Sequence, residues 1–210
     1  MKIDLTEIYA KLEAWRAERK ITAKSQRQGY LRNIMEELGE LAAGLRDYDS
    51  WSKCCDLRFC QIHKEMAERV IVDALCDIAV LTINAGVHIP CELKHTKIEF
   101  KKSSLNADYI LKQMVENCAE FSYFEWVEEK CFNIILVNCA YLCEHYGFNF
   151  EIAMLETIKE ISSRTGSYDE ATKKWIKDSS DEARKKWYKA DYERARLYKR
   201  GFTANIMCRG

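Results

Sequence analysis

Two short acidic blocks hold the residues of this chain best suited to chemistry: Glu36, Glu37 and Glu40 in MEELGEL, and Asp73 and Asp77 in VIVDALCDIAVL. Both blocks lie in helical patterns, where a spacing of three or four puts two side chains on one face. The same faces carry Leu, Ile and Val, so folding draws the carboxylates toward the interior. A carboxylate among apolar groups is costly unless a cation holds it. A divalent ion is the simplest cation to do so, and an all-oxygen donor set suits magnesium rather than zinc. The first expectation is a magnesium site inside a helical bundle.

The elements that must position these residues are helices. One proline (Pro90), eight glycines and the absence of Asn-Gly or Asp-Gly between alternating segments point to an all-α chain. Apolar periodicity predicts helices over 4–20, 26–46, 62–86, 105–125, 127–146 and 149–163, and a final charged helix near 181–200. Gly86 and Gly147 each follow a helical run, where a left-handed residue is expected. Ser179 with Glu182 reads as a capping box for the last helix, whose stripe Ala183, Trp187, Ala190 and Leu197 is expected to dock on the bundle. The stretch 46–61 breaks the pattern and reads as a loop or insertion, and 162–180 as a polar connection.

Charge and cysteine usage narrow the function classes. Thirty-three basic residues balance thirty-three acidic ones, which gives no basic surface for nucleic acid. The longest apolar run, 131–143, is too short to span a bilayer and contains Asn133 and Asn138, so no membrane partner is expected. Ten cysteines without a secretory h-region at the start suggest a reducing cytoplasm, with Cys76, Cys118, Cys131, Cys139 and Cys143 acting as small hydrophobes on helix faces. The cluster Cys54, Cys55, Cys60 and His63 lacks a structural zinc spacing and reads as an ordinary loop.

An internal repeat organises the chain. MEELGEL at 35–41 aligns with VENCAEF at 115–121, and DIAVLTINAGVHI at 77–89 with NCAYLCEHYGFNF at 138–150, glycine on glycine. Glu36 and Glu40 keep acidic counterparts in Glu116 and Glu120. Glu37 becomes Asn117, Asp77 becomes Asn138 and Asp73 becomes Ile134. The expectation is a single domain over 1–210 around a four-helix-bundle core, made of an acidic repeat at about 26–90, a degenerate repeat at about 105–163 and a C-terminal loop and helix at 164–210. The duplication would fuse a dimer interface into one chain, and further pairing into a homodimer is compatible with it.

EELGEL, followed after a gap by an acidic helix ending in DIAVL, resembles the MazG-like, all-α nucleoside triphosphate pyrophosphohydrolases. The duplication with one acidic copy is similar to the dimeric dUTPase branch. Glu37-x-x-Glu40 matches the family's first acidic pair and Asp77 its final Asp, while Ala74 stands where a Glu is usual and Asp73 lies one residue earlier. KEISSRTGSYD at 159–169 is similar to the segment that closes over phosphates, through Lys159, Arg164, Gly166 and Tyr168, with Ser163 where Asn is usual. The resemblance covers about residues 25–178. It implies Mg²⁺, or Mn²⁺ in its place, on Glu37, Glu40, Asp73 and Asp77. It implies catalysis by the Glu36, Glu37 and Glu40 group and cleavage of a nucleoside triphosphate to the monophosphate and diphosphate.

Phosphate charge needs donors, and Arg164, Lys159, Lys174 and Lys177 lie close in sequence, with a solvated basic loop as the alternative. Asn84, two turns beyond Asp77 on the same face, could read a base or ribose hydroxyl or simply cap the helix end. Gln28 is a similar candidate before Glu36. Trp51, Tyr168 and Trp175 are candidates to stack on a base. A non-catalytic nucleotide-binding or assembly protein on a degenerate hydrolase scaffold is the competing expectation.

Overall fold

The computed structural model describes residues 3–53, 57–89, 106–123, 128–172 and 174–197. Within them the chain forms seven α-helices, a short 3₁₀ turn and one antiparallel hairpin. The all-α expectation holds, with a small β element added. The helices α1 to α6 span Thr6–Glu18, Ala23–Ser52, Leu57–Ala85, Ala107–Tyr123, Glu128–His145 and Phe150–Ser163. None of the helices among the described residues is long and apolar enough to cross a membrane.

Apolar spacing decides which faces meet. On α2 the buried residues are Tyr30, Ile34, Leu38, Leu41 and Leu45, and on α4 Ile110, Met114, Cys118 and Phe121. In the register of the repeat, Ile34, Leu38 and Leu41 coincide with Met114, Cys118 and Phe121. On the next helices, Ile71, Ala74, Leu75, Ile78 and Ala79 coincide with Phe132, Ile135, Leu136, Cys139 and Ala140, all of them buried. α2 packs along α3, α4 along α5, α3 against α5 and α2 against α4, with α6 and α1 laid against α3. Cys76, Cys118, Cys131, Cys139 and Cys143 lie in this core without disulfides. Burial pushes the Cys118 thiol up to about 12, so it stays a protonated small hydrophobe.

Three local expectations are corrected. Most of 46–61 is helix: α2 continues to Ser52, and α3 begins at Leu57. With no Gly or Pro to stop it, α2 runs on while Tyr48 meets Tyr146 edge to face at 4.8 Å and Trp51 stacks on His63 at 4.3 Å. Cys54 and Cys55 lie outside the described residues, as do Pro90, 124–127 and everything beyond 197. Gly147 is left-handed (φ +84°) and closes α5 through Phe148 N–H to Cys143 O at 2.8 Å. Gly86 is not left-handed; it is required by close approach, because a Cβ there would lie 2.7 Å from the Phe132 ring. Ser180, not Ser179, caps the C-terminal turn, accepting from Ala183 N–H at 3.2 Å.

The final helix expected near 181–200 does not form over the described residues 181–197. A hairpin pairs β1 (Gly166–Asp169) with β2 (Lys174–Lys177), and among the described residues that follow, only the single turn α7 (Asp181–Arg184) is α-helical. The cause is competition for backbone N–H groups by acceptors on α6. Tyr188 N–H donates to Ser163 Oγ at 2.8 Å, Ala190 N–H to Glu160 at 2.9 Å and Asp191 N–H to Glu156 at 3.1 Å. The segment therefore runs as an extended strap along α6, and the expected docking occurs without the expected helix. Ala183, Tyr192 and Ala195 are buried, whereas Leu197 is exposed. Tyr192 pins the strap: its hydroxyl lies 2.9 Å from Thr157 Oγ1 and donates to Asp73 Oδ1 at 2.5 Å. Replacing Tyr192 with Phe takes the hydroxyl from Asp73, while Thr157 Oγ1 keeps the Ala153 carbonyl at 3.1 Å, so we expect a loss of about 1 kcal/mol in urea unfolding at constant m. An unchanged midpoint would show that the backbone bonds alone hold the strap.

Candidate functional site

Two helices place one acid each in a cleft. Glu37 from α2 and Asp77 from α3 line it, together with Val80, Leu81 and Asn84 from α3. α6 contributes Ile161 and, at its C-terminus, Arg164; β2 contributes Trp175 and Lys177; α1 contributes Trp15 and Arg19. The cleft measures about 210 Å³ and shares Trp15, Gln26 and Trp175 with an adjoining groove of about 600 Å³. Asp77 and Asn84 stand on one stripe of α3, about 10 Å apart along the axis. One end of the cleft is therefore anionic. Away from it the lining is apolar and aromatic, with the amides of Asn84 and Gln26.

The anionic end carries uncompensated charge. Burial, then Asp73 and Glu37, push the Asp77 carboxyl up to about 8, against a partial opposing pull from Arg164. Burial, then Glu40, Asp73 and Glu36, raise Glu37 to about 7. Asp73 is raised by burial despite the hydroxyl it accepts from Tyr192. Arg164 also bonds Glu160 at 3.1 Å, which divides its charge. Hard oxygen donors with an unmet need for positive charge fit a magnesium-type ion. Among the described residues, however, no three His, Cys, Asp or Glu side chains stand together as a ready ligand cage.

At the other end, the Asn84 amide has a fixed orientation. Arg16 Nη1 donates to Asn84 Oδ1 at 2.5 Å in a buried pair, and a guanidinium can only donate. The amide NH₂ is then the group left for a ligand. Arg19 is almost fully buried and donates to the carbonyls of Ser162 and Arg164 at 3.0 and 3.2 Å. Its guanidinium lies 5.3 Å from Trp15 and 5.2 Å from Trp175, so it ties α1, α6 and β2 into one wall.

The sequence candidates divide. Glu37, Asp77, Asn84, Arg164, Lys177 and Trp175 line the cleft, and Asp73 acts on both of its acids. Glu36 and Glu40 are exposed beside Glu37 and do not line it. Gln28 and Lys174 line the adjoining groove; Gln26, two residues earlier, reaches the cleft. Lys159 faces away, its ammonium 3.7 Å from the Tyr188 ring, and Tyr168 lies under the Lys20 ammonium at 4.7 Å. Trp51 sits about 20 Å along α2 from Glu37. Trp15, Arg16, Arg19, Glu160 and Tyr192 were not among the candidates. Arg16 and Arg19 continue the Ile8–Leu12 stripe of α1, and arginines on an apolar stripe are the signal that points to them.

Comparison of the chain with protein-family models, with curated proteins and with solved structures found no match.

Proposed function

We propose that the chain is a Mg²⁺-dependent nucleoside triphosphate pyrophosphohydrolase, with phosphates at the Glu37–Asp77 end and the nucleoside along Val80, Leu81 and Asn84. The observation that carries this reading is the α3 stripe itself. It sets half-compensated buried carboxylates at one end and, two turns on, an amide whose oxygen is already engaged. Glu37, Asp73 and Asp77, with Glu40 a turn further along α2, would hold the metal. Bound there, magnesium neutralises phosphate oxygens and makes the phosphorus more electrophilic. The chain's own side chains supply the rest. Glu36 or Glu40 orients a water and takes its proton as the oxygen attacks phosphorus. Arg164 donates to the charge that develops on the phosphate. The Asn84 NH₂ donates to a base carbonyl or sugar oxygen, and Trp15 and Trp175 wall the nucleoside. Cleavage between the α and β phosphates, and a deoxyuridine, deoxycytidine or non-standard substrate, follow from the family resemblance.

A second reading is a non-catalytic nucleotide-binding or assembly protein, favoured by acids that do not form a ready cage and by the exposure of Glu36 and Glu40. A substrate panel separates the two. With Mg²⁺, we expect pyrophosphate release from at least one of dUTP, dCTP, other nucleoside triphosphates or phosphoribosyl-ATP. No release from any of them, with thermal stabilisation by Mg²⁺ plus nucleotide, would support the binding protein. Neither release nor stabilisation would remove the hydrolase and leave the assembly protein.

A further inference from the structure

Beside the acidic end, the hairpin and the strap bring together more cationic and N–H donors than their neighbours satisfy. Two cations lie against the Trp187 ring, the Lys177 ammonium 5.0 Å and the Arg164 guanidinium 5.9 Å from its centre. Trp187 Nε1 and Arg164 Nε are both buried donors with no hydrogen-bond partner among the described residues. Each such orphan costs about 1–3 kcal/mol, and two of them around one ring is an unusual concentration. Arg184 and Lys189, on the strap, are close enough to add positive charge: together with burial and Arg164 they lower the Lys177 ammonium below its ordinary value. Glu160 is the opposing acid. It takes Arg164 at 3.1 Å, Lys189 at 3.8 Å and the Ala190 N–H at 2.9 Å, while Asp73, Asp77 and Glu37 also draw on Arg164 and Asp73 on Lys189.

We propose that Arg164, Lys177 and Trp187, with Arg184 and Lys189 at the rim, form a second subsite that takes a phosphate-type oxyanion. An oxyanion accepts from the indole and guanidinium N–H groups and relieves the repulsion between Lys177 and Arg164. Arg164 and Lys177 also line the acidic cleft, so the two sites share a wall. The subsite suits the distal phosphates of a bound nucleotide, or free pyrophosphate as it leaves. This deepens the hydrolase reading and rests on it only for the source of the anion. The strap then serves as part of the binding surface as well as packing on α6.

The test uses inorganic pyrophosphate as the probe, by calorimetry on the full chain without nucleotide, at physiological salt. Trp187→Phe keeps the ring and deletes its N–H, and Lys177→Met removes an exposed charge with little risk to folding. Each is expected to weaken pyrophosphate binding about tenfold, the size of one charge-assisted bond, while Lys112→Met on α4 leaves it unchanged. The Lys177→Met loss should shrink as salt rises. Wild-type affinity in both variants, or no binding by the wild type at millimolar pyrophosphate, overturns the subsite. Weakened binding in the variants with no hydrolysis of any triphosphate keeps the subsite and removes the hydrolase reading. Hydrolysis with wild-type pyrophosphate affinity in both variants does the reverse.

Discussion

Asp77→Asn is expected to lower Mg²⁺-dependent pyrophosphate release by about three orders of magnitude, roughly 4 kcal/mol in barrier height, while raising the melting temperature of the metal-free protein at pH 8. The two effects have one cause. Asp77 is a largely buried carboxylate whose neighbours Asp73 and Glu37 repel its charge, so the folded chain is strained there unless a cation is bound. An amide removes the charge, keeps the shape and forfeits the cation. The aligned position in the second repeat holds an amide, Asn138, buried on α5 with its NH₂ nitrogen unpartnered among the described residues. At the position aligned with Glu37, Asn117 donates to Gln113 O at 2.7 Å within its own helix. Activity loss with raised stability is the pattern of a functional group held at a cost. Asp77→Asn protein that is fully active would remove Asp77 from the metal set. Lower stability at pH 8 would show that the carboxylate serves the fold.

The helices and the acidic stripe were legible because both depend on local spacing. Ile34, Leu38 and Leu41 recur at helical steps, and Asp77 and Asn84 share a face whatever packs against it. In the register of the repeat, buried positions on α2 align with buried positions on α4, and those on α3 with those on α5. What was not legible depended on contacts distant in sequence. Residues 181–197 have helical composition, yet Glu156, Glu160 and Ser163 on α6 claim their N–H groups, and no window around residue 188 contains those acceptors. The hairpin was missed for a related reason. Its four-residue strands are charged and mostly exposed, and its register is imposed where the Gly166 backbone passes Ile176 so closely that a Cβ would lie 2.4 Å from the carbonyl. Arg16 was not among the candidates although its partner, Asn84, 68 residues away, was one. Its place on the Ile8–Leu12 stripe of α1 is the local signal that points to it.

The same buried acids set the pH response of the fold. Between pH 5.5 and 8.5 the metal-free protein is expected to lose on the order of 3 kcal/mol of stability, mostly through Asp77. Ordinary carboxyls in the unfolded chain ionise near pH 4, whereas Glu37 and Asp77 hold their protons to about 7 and about 8 in the folded chain. Across this window the folded state binds more protons than the unfolded state, so stability falls as pH rises. The penalty is absent below pH 4 and complete above pH 8. Glu37 is only about half buried, and solvent screening reduces its share. Acids with lowered values, Glu156 and Glu193, act in the opposite direction but have finished titrating before pH 5.5. Above pH 8.5 the buried thiols continue the decline, because Cys76, Cys118 and Cys139 stay protonated while unfolded thiols ionise. A bound divalent cation competes with these protons, so thermal stabilisation by Mg²⁺ should grow from pH 5.5 to 8.5 and be largely lost in Glu37→Gln and Asp77→Asn. Melting curves at the two pH values, with and without Mg²⁺, measure this directly. A Mg²⁺ shift of equal size at both would show that the cation binds away from Glu37 and Asp77, since only a site sharing their protons couples metal affinity to pH in this range.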